Sequence, residues 1–322
     1  MKIDFSPNDY TPIEQGLYFG FSTESEEPTD VEVAIVNADT DEVVATQLLR
    51  QVVSGKVNIA PYVERFSQRE PKAFGKEGTS LSLLEVVRYK IRIGDVESES
   101  VAVSPLRYEF SAPALITKMP LRRKIFYDDC DELLFAVQDS TDVDVVIMPN
   151  IGAVKSLSYK AASGVVRLLL TPSEFGQEAR RVSVLIKLNA QDWCSVEYEV
   201  LQRRGRSLCV VWESACGSME RYIFPMTYVL RNEVTKQRVG DGTNLNAVAI
   251  TRSKIVRAIS NYEPCDVIAA LSDIIASPKV WIELNGLLHR VDVVTSEESY
   301  NLLGEPNFVE LDLRIESRRV AL

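Results

Sequence analysis

The chain has a single histidine, His289, among 322 residues. That excludes a multi-histidine metal centre and leaves only one side chain for imidazole acid–base chemistry. By parity His289 shares a strand face with Leu287, Val291 and Val293, and it reads as a structural histidine with a satisfied ring nitrogen. No G-x-S-x-G accompanies it to suggest a hydrolase triad. Cysteine is scarce too. The five residues Cys130, Cys194, Cys209, Cys216 and Cys265 are odd in number, widely spread and without a C-x-x-C. They read as small buried hydrophobes in a reducing compartment. An inter-sheet Cys130–Cys194 bridge is disfavoured, because Cys130 falls in an acidic turn. There is no N-x-[ST] sequon, and no run approaches the ~20 apolar residues of a membrane span. The start, Met1-Lys2-Ile3-Asp4-Phe5-Ser6-Pro7, lacks the apolar stretch of a signal peptide, so synthesis in the cytoplasm is expected. Phosphate-binding glycine loops are missing as well. Gly240-Asp241-Gly242 lacks the lysine of a P-loop and the third glycine of a dinucleotide turn, and it reads as a loop turn.

Charge is lopsided. Lys+Arg number 36 and Asp+Glu 46, a formal net charge of -10. Sequence-specific or general nucleic-acid binding is therefore not expected. Two basic segments stand out, Arg122-Arg123-Lys124 and Arg203-Arg204-Gly205-Arg206. They lack the interleaved aromatics that stack on bases. They are expected to form salt bridges between modules or subunits, and to face an acidic first module. The cluster Asp128, Asp129, Asp131 and Glu132 is the best metal candidate by composition. It lacks the alternation and glycine of a calcium loop and reads as a solvated turn. No catalytic pair of carboxylates is singled out, and neither a metal nor an organic cofactor is expected.

What the sequence does contain is strand pattern. Val31, Val33 and Ile35 share a face; Tyr89, Ile91 and Ile93 alternate with Arg88, Lys90 and Arg92; Leu311, Leu313 and Ile315 alternate with charged residues. Turn signals at Asn37-Ala38-Asp39, Gly94-Asp95, Asp139–Asp142 and Asn285-Gly286 separate such runs. One segment reads as an amphipathic helix, 264–276, with Val267, Ile268, Leu271, Ile274 and Ile275 on one stripe, Pro264 at its start and Ser277-Pro278 after it. A short helical turn is expected around Ala60–Arg65. The fold class is mainly β, with three β-rich, sandwich-like modules. They are 1–117, 118–206 as an immunoglobulin-like sandwich, and 207–322 with the helix. These carry net charges of -8, +1 and -3. The middle module offers seven short runs: Lys124–Tyr127, Leu133–Val137, Val143–Met148, Val154–Tyr159, Val165–Leu170, Val182–Leu188 and Cys194–Leu201.

Three segments resemble structural proteins of tailed phages and prophages of Bacteroidetes bacteria. Gly55–Val63 resembles a recurring strand followed by a D/N-I-S-x-Y-L/V turn. Leu208–Pro225 resembles an L-x-W-x-N-x-x-G-x-x-E-x-Y-x-F hairpin, with Trp212, Gly217, Glu220, Tyr222 and Phe224 matching and Ser214 and Met219 departing. The stretch from the 264–276 helix through Trp281 to the last strands resembles the closing half of the same module. The resemblance implies a non-enzymatic virion component, of tail, collar or capsid-associated type. It would work through contacts with other virion proteins and with copies of itself. A glycan-binding adhesin module on a virion or cell surface is the alternative. Trp212, Tyr222 and Phe224 are expected to form the core of the third module, or else a partner-facing patch. Candidate partner contacts are Phe5 and Tyr10 in an N-terminal arm over 1–15, Phe74 in the polar loop 68–79, and Arg122, Arg123, Arg203 and Arg204. Residues 16–21 are expected to open the first module as a strand.

Overall fold

The structure is a computed structural model. It describes the whole chain except residues 24–25, 67–70, 72–77, 85, 105, 107–109, 139–140, 162–163, 204, 240–245, 285, 297–306, 317–319 and 322. The protein is mainly β, with several antiparallel sheets and, among the described residues, two α-helices. No helix among the described residues is long and apolar enough to cross a membrane.

The first part of the chain contains β1 (Lys2–Phe5), β2 (Tyr18–Ser22), β3 (Thr29–Asn37), β4 (Val43–Val52), β5 (Ser54–Asn58), α1 (Ala60–Phe66), β6 (Ser80–Leu83), β7 (Arg88–Ile93), β8 (Val96–Glu97), β9 (Val101–Ala102) and β10 (Ala114–Ile116). A β1-β2-β5 sheet faces a β4-β3-β7-β8 sheet. The period-2 pattern does what the pleat requires. Val31, Val33, Ile35, Tyr89, Ile91 and Ile93 turn inward onto Phe19, Phe21 and Val57, while Arg88, Lys90 and Arg92 turn outward. Gly94, at φ 59, makes the tight turn between β7 and β8.

The N-terminal segment is not a free arm. β1 pairs with β2, and Ile3 and Ile13 pack on the module's own core. The Asp9 carboxylate accepts the Ala102 N–H at 2.7 Å, and Tyr10 N–H donates to the Ala102 carbonyl at 2.8 Å. Strand pairing, these two bonds and the packing of Ile3 and Ile13 hold the segment to its own module. That is why a segment without a long alternating run is still held.

The second part contains β11 (Arg122–Phe126), β12 (Asp131–Val137), β13 (Thr141–Pro149), β14 (Lys155–Ala161), β15 (Gly164–Leu170), β16 (Arg181–Leu188) and β17 (Gln191–Leu201). All seven expected runs are strands. They form two sheets, ordered β10-β12-β15-β6 and β11-β17-β16-β13-β14, with β11 parallel to β17. The order resembles the A-B-E-D and G-F-C sheets of immunoglobulin sandwiches. Two of its strands, however, come from before residue 117. β10 pairs with β12, and β6 pairs with β15 in the register Leu81↔Leu168. Leu81 and Leu83 pack on the sandwich core. Thr79 pins the start of β6: its N–H donates to Glu174 at 2.9 Å, and its hydroxyl accepts the Thr171 N–H at 3.0 Å.

The third part contains β18 (Leu208–Glu213), β19 (Met219–Phe224), β20 (Met226–Val239), β21 (Asn246–Ile259), α2 (Cys265–Ala276), β22 (Val280–Leu284), β23 (Leu287–Val293), β24 (Glu310–Glu316) and β25 (Val320–Ala321). The ladder runs β19-β18-β22-β23-β24-β21-β20. Side chains from β18, β19, β21, β22, β23 and β24 share one core, so the sheet curls into an open, barrel-like shape; its end strands β19 and β20 are consecutive in sequence across Pro225 but have no backbone pairing with each other among the described residues. Trp212, Tyr222 and Phe224 lie in the core, as expected. Tyr222 and Phe224 meet edge to face, with ring centroids 5.0 Å apart. Helix α2 buries Ile268, Ala270, Leu271 and Ile274 in the same core, with Val267 and Ile275 half-buried against it. Pro264 is its N-cap residue, one position before the first turn. Gly217, at φ 85, turns β18 into β19.

Candidate functional site

Among the described residues, a cluster of buried ionisable groups lies between the sandwich and the barrel. It is built where the start of β12, the whole of β11 and the hairpin β18–β19 meet. Arg123 on β11 is buried and reaches Asp131 Oδ2 at 3.0 Å and Glu220 Oε2 at 3.5 Å. Tyr198 Oη donates to the same Asp131 oxygen at 2.7 Å. Glu220 Oε1 accepts from the Thr117 hydroxyl at 2.6 Å, the Ser218 hydroxyl at 2.8 Å and the Lys118 N–H at 3.3 Å. Arg221 on β19 donates to Asp129 Oδ1 at 2.7 Å, with both side chains buried. Outside this core, Lys124 meets Glu263 at 3.0 Å, and Tyr222 Oη donates to the same Glu263 oxygen at 2.8 Å. Arg203 bridges Asp128, at 2.7 Å, and Glu283, and it lies 4.5 Å over the Phe126 ring. Beneath the charges, Phe126 packs with Cys209, Val211, Met219, Ile223 and Trp281.

The electrostatics follow from burial and pairing. Burial pushes the Asp129 carboxyl up to about 6, despite the Arg221 guanidinium beside it. Burial works against the charge of Arg123, but Asp131 and Glu220 outweigh it and hold that guanidinium above its ordinary value. Burial, then the neighbouring Asp129, drive the Cys209 thiol well above its usual range, which removes it as a thiolate nucleophile. One small cavity, about 10 Å³, is lined by Arg123, Lys124, Asp129, Asp131, Cys209 and Arg221 among others. That is about the room one water needs, and no substrate fits it. Asp131 Oδ1 has no protein hydrogen-bond partner. A water in this cavity has polar partners enough to satisfy it.

These placements revise the reading of the acidic turn. Asp129, Asp131 and Glu132 are buried and only Asp128 is exposed, so the cluster is not a solvated turn. It is the counter-charge for Arg123, Arg203 and Arg221. The basic segments do make bridges between modules, but toward this turn and the barrel rather than toward the first module. Among the described residues, no group of three or more His, Cys, Asp or Glu is placed to hold a metal. No family model and no curated protein matches this chain.

Of the residues expected to meet partners, the structure brings only Arg123 and Arg203 together, in this seam. Arg122 is exposed on β11. Phe5 is exposed, but its ring covers Gly20, where a Cβ would sit 2.1 Å from it, and Lys56 Nζ lies 5.3 Å from the ring centroid. Tyr10 is half-buried beside the sandwich: a Cβ at Gly164 would lie 3.5 Å from its hydroxyl. Phe74 and Arg204 lie outside the described residues. His289 is exposed on β23, opposite Ile282. The five cysteines are free thiols. Sequence reasoning missed Glu220 and Arg221 as a charged centre. The available signal was two adjacent charges inside the short apolar strand Met219-Glu220-Arg221-Tyr222-Ile223-Phe224.

Proposed function

We propose that this chain is a non-enzymatic structural component of a phage particle, of tail, collar or capsid-associated type, that acts through protein–protein contacts. The observation that supports the reading best is the seam. Its charges are spent on one another across two modules, which stiffens the chain instead of presenting reactive groups. A second support is the amount of edge strand and β-hairpin left for contacts outside the chain. The residues of the hairpin resemblance also have structural work: Trp212, Tyr222 and Phe224 fill the barrel, Gly217 turns it, and Glu220 anchors the seam. The test is mass spectrometry and imaging of particles from a lysogen that carries the gene. The chain should be present at a fixed stoichiometry and traceable in the particle density. Its absence from purified particles would remove the proposal.

A further inference from the structure

Two sheet edges of this chain are long, open and oppositely charged. Among the described residues, β20 pairs only with β21 and β4 pairs only with β3. The outer sides of 14 residues of β20 and 10 of β4 therefore have no backbone partner there. At ~3.3 Å per residue these edges run roughly 46 and 33 Å. Both carry half-exposed apolar side chains: Val229 and Val234 at 46% and 51% on β20, Val43 and Leu48 at 48% and 52% on β4. Such edges are templates for pairing with another chain.

Charge selects between partners. Strands β20 and β21 carry Arg231, Lys236, Arg238, Arg252, Lys254 and Arg257 against one acid, Glu233, a net +5 in a chain of net -10. Segment 29–52, which holds β3, its turn and β4, has five acidic residues and one basic residue, a net -4. Arg257 is engaged by Asp312 and Glu310, and Asp41 by Lys90 and Arg92. Arg231 pairs with Glu233 at 2.9 Å. Leaving out these residues and Arg252 still leaves Lys236, Arg238 and Lys254 on the first surface and a net negative charge on the second. Two β20 edges would meet with like charge. A β20 edge meeting a β4 edge joins opposite charges.

We infer that β20 of one copy adds as a strand to β4 of the next copy. The two surfaces differ, so the contact is heterologous and propagates into a closed ring or an open filament. The inference rests on the assembly reading above for the identity of the partner, a second copy of this chain. The test is sedimentation velocity over a range of concentrations at low and high salt. It uses the full chain and two surface variants, Lys236→Glu/Arg238→Glu and Glu32→Lys/Glu42→Lys, each with its melting curve measured. The wild type should associate more weakly at high salt. Each variant alone should stay folded and associate at least about tenfold more weakly, a loss of ~1.4 kcal/mol. An equimolar mixture of the two variants should recover association, because each altered edge again meets an opposite charge. A wild type that stays monomeric would overturn the inference, the basic side chains then serving to keep the edge unpaired. So would a Glu32→Lys/Glu42→Lys variant that associates like wild type, or a mixture that recovers nothing. Particle mass spectrometry reports separately on the virion reading, so the two can fail independently.

Discussion

Replacing Arg221 with methionine should expose how the seam is balanced. Arg221 and Asp129 are 6% and 1% exposed and 2.7 Å apart. Removing one member of such a buried pair typically costs ~3–5 kcal/mol, because the other is left uncompensated. The pH dependence makes the test specific. In the wild type the folded Asp129 carboxyl sits at about 6, above its unfolded value of 3.8. Its contribution is therefore fully present below the unfolded value and is lost as pH rises through about 6. Without Arg221 the main charge holding that carboxyl down is gone, and it moves higher still. Below pH 6 both folded proteins carry the proton, so the stability gap between them stays constant. Above pH 6 only the wild type ionises Asp129 against a cation, and the gap widens by up to ~1.4 kcal/mol per pH unit. Urea unfolding followed by tryptophan fluorescence measures this, since Trp281 packs in the same seam. The double variant Asp129→Asn/Arg221→Met should show no such widening. A single variant that costs less than ~1 kcal/mol, with a gap flat from pH 5 to 8, would refute the argument.

Leu271 is fully buried in the barrel core, so Leu271→Ala should cost ~2–5 kcal/mol in the same assay; a loss under ~1 kcal/mol would place the helix stripe elsewhere. Deleting residues 1–15 should lower the melting temperature of the first module, since it removes β1, Ile13 and the Asp9–Ala102 bond; an unchanged melt would restore the free-arm reading. Treatment with a metal chelator should leave the melting temperature unchanged in a thermal-shift measurement, and a clear drop would reveal a structural metal. Leu81→Asp should destabilise the sandwich although it lies before residue 117, because Leu81 packs on that core; limited proteolysis would show whether the 118–206 region loosens.

Local pattern carried much of the architecture into the sequence. The seven runs between Lys124 and Leu201 are strands, the 264–276 stripe is α2, and the Ala60–Arg65 turn is α1, because periodicity and proline placement are local properties. Pairing partners are not local. Ser80–Leu83 looks like a short alternating stretch of the first module, and nothing within it says that its neighbour is Val166–Leu169. The acidic turn failed for the same reason. Asp129 is buried because Arg221, 92 positions away, neutralises it, and no window around Asp129 contains that information. Arg123 reads as a surface cation in its basic run, yet β11 alternation points it inward beside Ile125, and Asp131 makes that tolerable.

The origin of β6 also sets a clock on synthesis. Leu81 leaves the ribosome 87 residues ahead of Leu168, its partner in the sandwich. At ~5–20 residues per second that interval is roughly 4–17 s. Throughout it, a strand with two apolar side chains waits beside an already completed β1–β5 with nothing to pair against. β10, by contrast, waits only the 18 residues from Ile116 to Leu134. The sandwich therefore completes late and around a strand made early, so the first two modules fold as a sequence of events and not as independent units. Exchange of the 118–206 region between related genes, cut at residue 117, would strand both β6 and β10 on the wrong side of the junction.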